Sequence, residues 1–439
     1  MHKPIILKKK INSFNKSINV AGDKSLSIRW ALLASQAKGK SKAYNLLRSS
    51  DVIDTLKCLR KLGVKITLKK KFCEIEGKGF DNFKIKKNLN LNAGNSGTLG
   101  RLILGLLVHH NNKIKITGDN SLSKRDFSRV IIPLSKFGAS FKYRNNFKLP
   151  IEITGLKNPK PIKYFEKKGS AQCKSSVMLA ALKTKGETII KAKKSRDHTE
   201  ILFKNLKIPI KIKKGKLFDL IKIRGGKQFN AFNYKIPSDI SSSAFFIVLT
   251  LLSHNSKLII KNVNINPSRV GVITILKKMG AKISFRNIKI YKGEKVANIA
   301  IESTKNLKAI NCPKIFNSQA IDEFLLIFLV AAKAKGVSYF KDLSELNQKE
   351  SPRLKLGSKI LNLMGIKTIL TDSSIKIFGN PEIKIKNKIE IKNYLKDHRV
   401  FMMSVISALT FGGHWKLHDP DSINSSFPSF LKLINGLNK

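Results

Sequence analysis

Cysteine, acid and arginine are all scarce in this chain. Its 439 residues include four cysteines, Cys58, Cys73, Cys173 and Cys312, with no CxxC pair. That argues against a zinc site and suits a reducing compartment. Long apolar runs are missing too: "FLLIFLVAA" from Phe324 is too short to cross a bilayer. The opening "MHKPIILKKKINSFNK" has neither the apolar core nor the cleavage pattern of a signal peptide, so a cytoplasmic protein is expected. Aspartate and glutamate number 28 against 85 lysines and arginines, a net charge of +57. Such a charge normally points to nucleic acid or an anionic membrane. Here the cations are spread along the whole chain, and no cluster interleaved with aromatics is visible. The reading is therefore solvated surface, with neither nucleic acid nor membrane as a partner. An apolar content of 42% makes the chain globular, with room for two or three domains.

The scarce arginines carry information. Only 13 stand against 72 lysines. A compositional drift toward lysine spares arginine mainly where a planar, bidentate grasp of carboxylate or phosphate is needed. Arg29, Arg101, Arg125, Arg196, Arg269, Arg353 and Arg399 all fall in short polar motifs.

Those motifs repeat. A Ser- or Asp-centred polar motif, an apolar helical run, a break and a strand recur six times. Anchored on Ser25, Ser96, Ser170, Ser241, Asp322 and Asp397, the separations are 71, 74, 71, 81 and 75 residues. The first helix of each copy is apolar all round and should be buried. A second, more amphipathic helix follows, several times ending at a glycine (Gly63, Gly138, Gly280, Gly365). Two strands come next in the first five copies. The sixth ends without them, and "PIILKKKINSFNKSINV" has the strand character to close it. Six βαβαββ-like copies suggest an α/β protein of two pseudo-symmetric domains with three copies each. The expected domains are 22–236, and 1–21 plus 237–439. Helix N-termini attract anions, so twelve of them aimed at one cleft would suit small phosphate- or carboxylate-bearing substrates.

The stretches "GDKSLSIR", "LNAGNSGTLGRL", "GDNSLSKR", "GSAQCKS", "KSRDHTE", "NPSRVG", "IDE", "QKESPRL", "DHR" and "SSFP" follow one another over essentially the full length. In this order and spacing the chain resembles the EPSP synthase family, the 3-phosphoshikimate 1-carboxyvinyltransferases. The resemblance implies two inside-out α/β barrel domains joined by a double crossover. It implies transfer of the enolpyruvyl group of phosphoenolpyruvate to the 5-hydroxyl of shikimate 3-phosphate, with release of phosphate. No metal or organic cofactor is implied, and a monomer is expected.

Carried over motif by motif, the resemblance gives Lys24 contact with both substrates and a share in proton movement. Ser25, Arg29, Ser170, Ala171, Gln172, Ser195 and Lys349 would hold shikimate 3-phosphate, with Arg196 beside Ser195. Asn95, Gly97, Arg125, Gln172, Arg353 and Arg399 would hold phosphoenolpyruvate. Asp322 would take the proton of the 5-hydroxyl, and Glu350 would protonate the phosphoenolpyruvate methylene. Glu323 is expected to face elsewhere on the helix, and Asp397 and His398 to orient neighbours. His198 reads as a structural hydrogen-bonder. Closure on binding is expected, because the clamp comes from both halves. Ile28, Asp126, Asn347, Gln348, Pro352, and Ser425–Ser426 depart from the family pattern. Asp126 in particular sets a carboxylate beside an anion-binding arginine. Lys174 with "KSRDHTE" marks the branch carrying "SAQxKS".

The rival enolpyruvyl transferase acting on UDP-N-acetylglucosamine carries a reactive cysteine where this chain has Asn120. A basic nucleic-acid-binding protein and an inactive scaffold on the same repeat are the remaining alternatives.

Overall fold

The computed structural model describes residues 3–438. Met1, His2 and Lys439, the outer ends of the expected split domain, lie outside the described residues. The fold is mixed α/β, and the chain divides into two units. One holds Gly22–Ile236 together with Tyr291–Glu294. The other holds the chain up to Ala21, Pro237–Ile290, and the chain from Lys295 on. The short insertion from the second stretch is tied down locally. Glu294 bonds His198 at 2.7 Å with both side chains buried, and the Tyr291 ring packs 5.5 Å from that of Tyr234.

In the first unit the buried helices are Lys24–Ala34, Gly97–Leu107 and Ala171–Lys183. Their starts are set by side-chain caps that satisfy otherwise orphaned backbone N–H groups. Asp23 accepts from the Leu26 amide at 2.8 Å, Ser96 from Leu99 at 3.2 Å and Ser170 from Cys173 at 3.3 Å. Second helices run over Ser50–Lys61, Ser128–Ser135 and His198–Asn205. Gly63 and Gly138 follow the first two with φ of +86° and +104°, a conformation that costs glycine little.

Three four-stranded sheets complete this unit, and each begins with a parallel pair. Leu89–Asn92 runs parallel to Lys113–Thr117, and Lys163–Glu166 to Gly186–Lys193. Lys38–Tyr44 finds its parallel partner at the far end of the unit, where Tyr234 pairs with Ala43. A strand from the last copy thus closes the sheet of the first.

The second unit repeats the plan with the buried helices Ile240–Leu252, Phe324–Lys333 and His398–Phe411, which pack on one another. Its N-terminal strands separate. Ile5–Leu7 pairs antiparallel with His414–Leu417 in the sixth copy, whereas Asn15–Ile18 runs parallel to Lys257–Asn264 in the fourth. The sequence assigned both to the last copy. No helix among the described residues is long and apolar enough to cross a membrane.

Candidate active site

Each unit gathers its predicted site residues near helix starts and in the loops that lead into them. In the first unit, Lys24 opens its helix and its Nζ lies 2.9 Å from Asp51 Oδ2. Ser25 is half-buried one residue on, and its carbonyl accepts from Arg29 Nη1 at 3.1 Å. Arg29 is buried. Its Nε donates to Thr199 Oγ1 at 2.8 Å and its Nη2 to Ser175 Oγ at 3.0 Å, and these two hydroxyls bond each other at 2.7 Å. One guanidinium thereby fixes three helices.

The second and third helix starts are joined through Gln172. Its amide nitrogen donates to Thr98 Oγ1 and its carbonyl oxygen accepts from Arg101 Nη1, each at 3.0 Å. Arg101 also stacks 4.9 Å from the centre of the Phe127 ring. Gly97 lies beneath this arrangement. A Cβ there would stand 2.8 Å from Arg101 Nη1 and 2.9 Å from Arg125 Nη1. Asn95 donates to Asp119 at 2.6 Å, which holds the loop before Gly97. Ala171 is the first helical residue after the Ser170 cap. The Ser195 hydroxyl is buried with no hydrogen-bond partner among the described residues, and Arg196 stands half-buried beside it. Such a buried hydroxyl costs free energy unless a ligand satisfies it.

In the second unit the carboxylates converge on Arg353, which is buried at the start of the Arg353–Leu363 helix. Its Nε and Nη2 grip Asp397 at 2.8 and 3.2 Å, its Nη2 also donates to Glu350, and its Nη1 lies 3.6 Å from Asp322. Burial opposes the guanidinium charge, but Asp397, Glu350 and Asp322 outweigh it and hold Arg353 above its ordinary value. Asp397 is buried as well. Burial would raise its carboxyl pKa, yet Arg353 holds it below the usual range. Ser351 and the Arg399 amide complete its shell at 2.8 and 2.9 Å. Lys349 Nζ stands 3.4 Å from Asp322, and Arg399 Nη1 donates to the Asp322 carbonyl at 2.7 Å.

Several details differ from the sequence reading. Asp322 and Glu323 lie in a turn before the Phe324–Lys333 helix, not on it. Glu323 is buried and accepts a hydrogen bond from Ser241. Arg353 is already enclosed by carboxylates. The sequence pointed to Asp397 as a group that orients its neighbours, but not to Arg101. The signal existed: Arg101 is one of the spared arginines. Ser175 and Thr199 lie within "GSAQCKS" and "KSRDHTE", whereas Asp51 gave no signal.

The EPSP synthase family model, described as 3-phosphoshikimate 1-carboxyvinyltransferase, matches residues 8–434. The chain belongs to the EPSP synthase family. It is 41% identical over 428 residues to a 3-phosphoshikimate 1-carboxyvinyltransferase of Ruthia magnifica subsp. Calyptogena magnifica, covering 97% of this chain and 96% of that one. An enzyme of the same description from Petrotoga mobilis is 38% identical, with 96% of each covered. Among solved structures, EPSP synthase from Acinetobacter baumannii superposes with a TM-score of 0.87 at 34% identity over 99% of this chain and 98% of that one. The enolpyruvyl transferase NikO from Streptomyces tendae shares the fold, with a TM-score of 0.76 at 14% identity and 99% and 97% covered.

Within the EPSP synthase family the departures of this chain have local accommodations. Ile28 is fully buried, so an apolar side chain suits its place in the core. Asp126 turns its carboxylate onto Ser128, whose amide and hydroxyl both donate at 2.7 Å. These neutral donors fix the carboxylate without cancelling its charge, which still acts on Arg101. Pro352 is the N-cap of the Arg353 helix, where its carbonyl accepts from the Leu356 amide at 2.9 Å and no backbone N–H is required. Asn347 donates to the Asp372 carbonyl at 3.3 Å. Lys174 pairs with Glu200 at 2.5 Å, both buried, which joins "SAQCKS" to "SRDHTE". Ser425 bonds His398 at 3.2 Å.

Proposed function

We propose that the chain transfers the enolpyruvyl group of phosphoenolpyruvate to the 5-hydroxyl of shikimate 3-phosphate. The observation that carries the reading is the Asp322–Arg353–Glu350 cluster with Lys349 beside it. Two carboxylates of different surroundings share one guanidinium, the arrangement that separate proton donor and acceptor roles need. In the proposed sequence Glu350 gives a proton to the methylene carbon as the substrate hydroxyl attacks the enol carbon. Asp322 takes the hydroxyl proton, with Lys24 and Lys349 stabilising the charge. The tetrahedral adduct then loses phosphate and a methyl proton, which restores the carbon–carbon double bond.

Ser25, Arg29, Ser170, Gln172, Ser195 and Lys349 are assigned to shikimate 3-phosphate, and Arg125, Arg353 and Arg399 to phosphoenolpyruvate. Fixed positive charge and positioning supply much of the rate enhancement. The protein is proposed to act as a cytoplasmic monomer without a metal. Phosphate release in the presence of both substrates tests the reading. Asp322→Ala should lower turnover about 10²–10⁴-fold. Full activity in that variant, or none in the wild type, would overturn it. Shikimate 3-phosphate replaced by UDP-N-acetylglucosamine should give no turnover.

A further inference from the structure

The reaction leaves the net charge of +57 unexplained. Along the chain the lysines look evenly spread, but one sheet sorts them. The third sheet of the first unit contains Lys163–Glu166, Gly186–Lys193, Phe218–Gly225 and Ile210–Lys213. One face turns Ile190, Ala192, Ile221 and Ile223 into the core. The other carries Lys163, Lys191, Lys193, Lys211, Lys213 and Lys222, with Arg224 at its edge. Glu187 is the one carboxylate of these strands on that face. It lies 3.7 Å from Lys222, at an end of the ladder where it pairs with Arg224. Glu166 and Asp219 belong to the buried side.

Two aromatic rings sit amid these cations. Phe165 is 42% exposed, and its ring meets that of Phe218 edge-on at 5.2 Å. Lys191 Nζ stands 5.2 Å from the Phe165 centroid and 5.6 Å from that of Phe218, and Lys167 is 5.4 Å from Phe165. The other two sheets of the unit also pair lysines with carboxylates. Glu74 and Glu76 pair with Lys42 and Lys65 at 3.4 and 3.5 Å, and Glu152 pairs with Lys113 at 2.9 Å.

We propose that the outward face of this third sheet binds single-stranded RNA, with bases stacked on Phe165 and Phe218 and backbone phosphates on the surrounding lysines. A four-stranded sheet with exposed aromatics is the surface on which RNA-recognition modules stack two or three bases. Four strands span about 14 Å, enough for that many nucleotides. Lysines now resting over the rings swing to phosphate as a base takes their place. Duplex RNA keeps its bases stacked inside and is a poor occupant. An anionic bilayer offers charge but nothing for the aromatic pair to stack on.

Fluorescence anisotropy with a labelled 20-nucleotide oligo-U tests this on the full chain at 50–200 mM salt. Phe165→Ala should weaken binding about tenfold. Lys191→Gln should lower the magnitude of the logarithmic salt slope by about 0.7. The paired change Lys113→Gln and Lys115→Gln, on the second sheet, should leave both quantities at wild-type values. Phosphate release and thermal melting identify any variant that has lost its fold. In that case Phe165→Leu, which keeps the apolar bulk without the ring, replaces Phe165→Ala and should weaken binding similarly. The proposal is overturned if Phe165 variants bind as the wild type does, or if the second-sheet variant weakens binding equally. It is also overturned if duplex RNA binds as tightly, or if vesicles with 30% anionic lipid displace the oligonucleotide at equal charge.

Discussion

In the unit containing Gly22–Ile236, Arg29 is held by two hydroxyls and Arg101 by an amide and a carbonyl, whereas in the other unit Arg353 lies among three carboxylates. Hydroxyl and carbonyl partners fix a guanidinium in place without themselves cancelling its charge. A preorganised positive field of that kind suits a phosphate dianion. Carboxylate partners fix a guanidinium equally well but cancel its charge. What remains is a set of acids and bases whose protonation the arginine governs. The same residue type is therefore set among neutral partners in one unit and among carboxylates in the other.

The largest expected effect comes from removing the cancelled charge. Arg353→Met leaves Asp397 buried without its main partner, and urea unfolding should show a loss of about 3–5 kcal/mol. A loss below 1 kcal/mol would mean that the carboxylates do not depend on Arg353. Arg29→Lys probes the opposite case. It keeps the charge and breaks the two-pronged hydroxyl grip, so KM for shikimate 3-phosphate should rise about 10–100-fold with a smaller change in kcat. An unchanged KM would remove Arg29 from substrate binding.

Gly97→Ala should act more mildly. Its Cβ presses on Arg101 and Arg125, side-chain ends that can shift, so KM for phosphoenolpyruvate should rise about tenfold, roughly 1.4 kcal/mol. KM for shikimate 3-phosphate should move less. Equal change in both constants would show a general distortion.

Acid separates the units with the smallest effect. Burial pushes His109 and His110 in the first unit down to about 4, so they are neutral when folded and take up protons on unfolding. Stability from them is present above the unfolded value near 6.5 and is lost as pH falls from there toward 4. Asp397 acts in the same direction, but in a lower pH window. Its depressed carboxyl keeps stabilising the second unit until pH falls below about 4. Each unit holds one buried tryptophan, Trp30 and Trp415. In single-tryptophan variants at fixed urea, the Trp30 signal should change first on acidification. His109→Gln keeps a donor toward the Ala180 carbonyl, which the ring nitrogen meets at 2.8 Å. It should remove about 1 kcal/mol of the loss between pH 6.5 and 5.5. Simultaneous loss of both signals at every pH would dissolve the contrast.

The sequence by itself determined the sixfold repeat, the buried first helices, and the polar residue types that head them. Apolar periodicity and capping are local, and a spared arginine is visible wherever it stands. Tertiary structure decided everything that depends on register between distant strands or on which side chains meet. The hydroxyl pair on Arg29 comes from positions 175 and 199, and the carboxylate cage of Arg353 from positions 322, 350 and 397. Lys163, Lys191, Lys222 and Lys211 look unrelated along the chain. Strand pairing sets them on one face with Phe165 and Phe218, because in a sheet the partner strand, and not the neighbouring residue, supplies the next side chain.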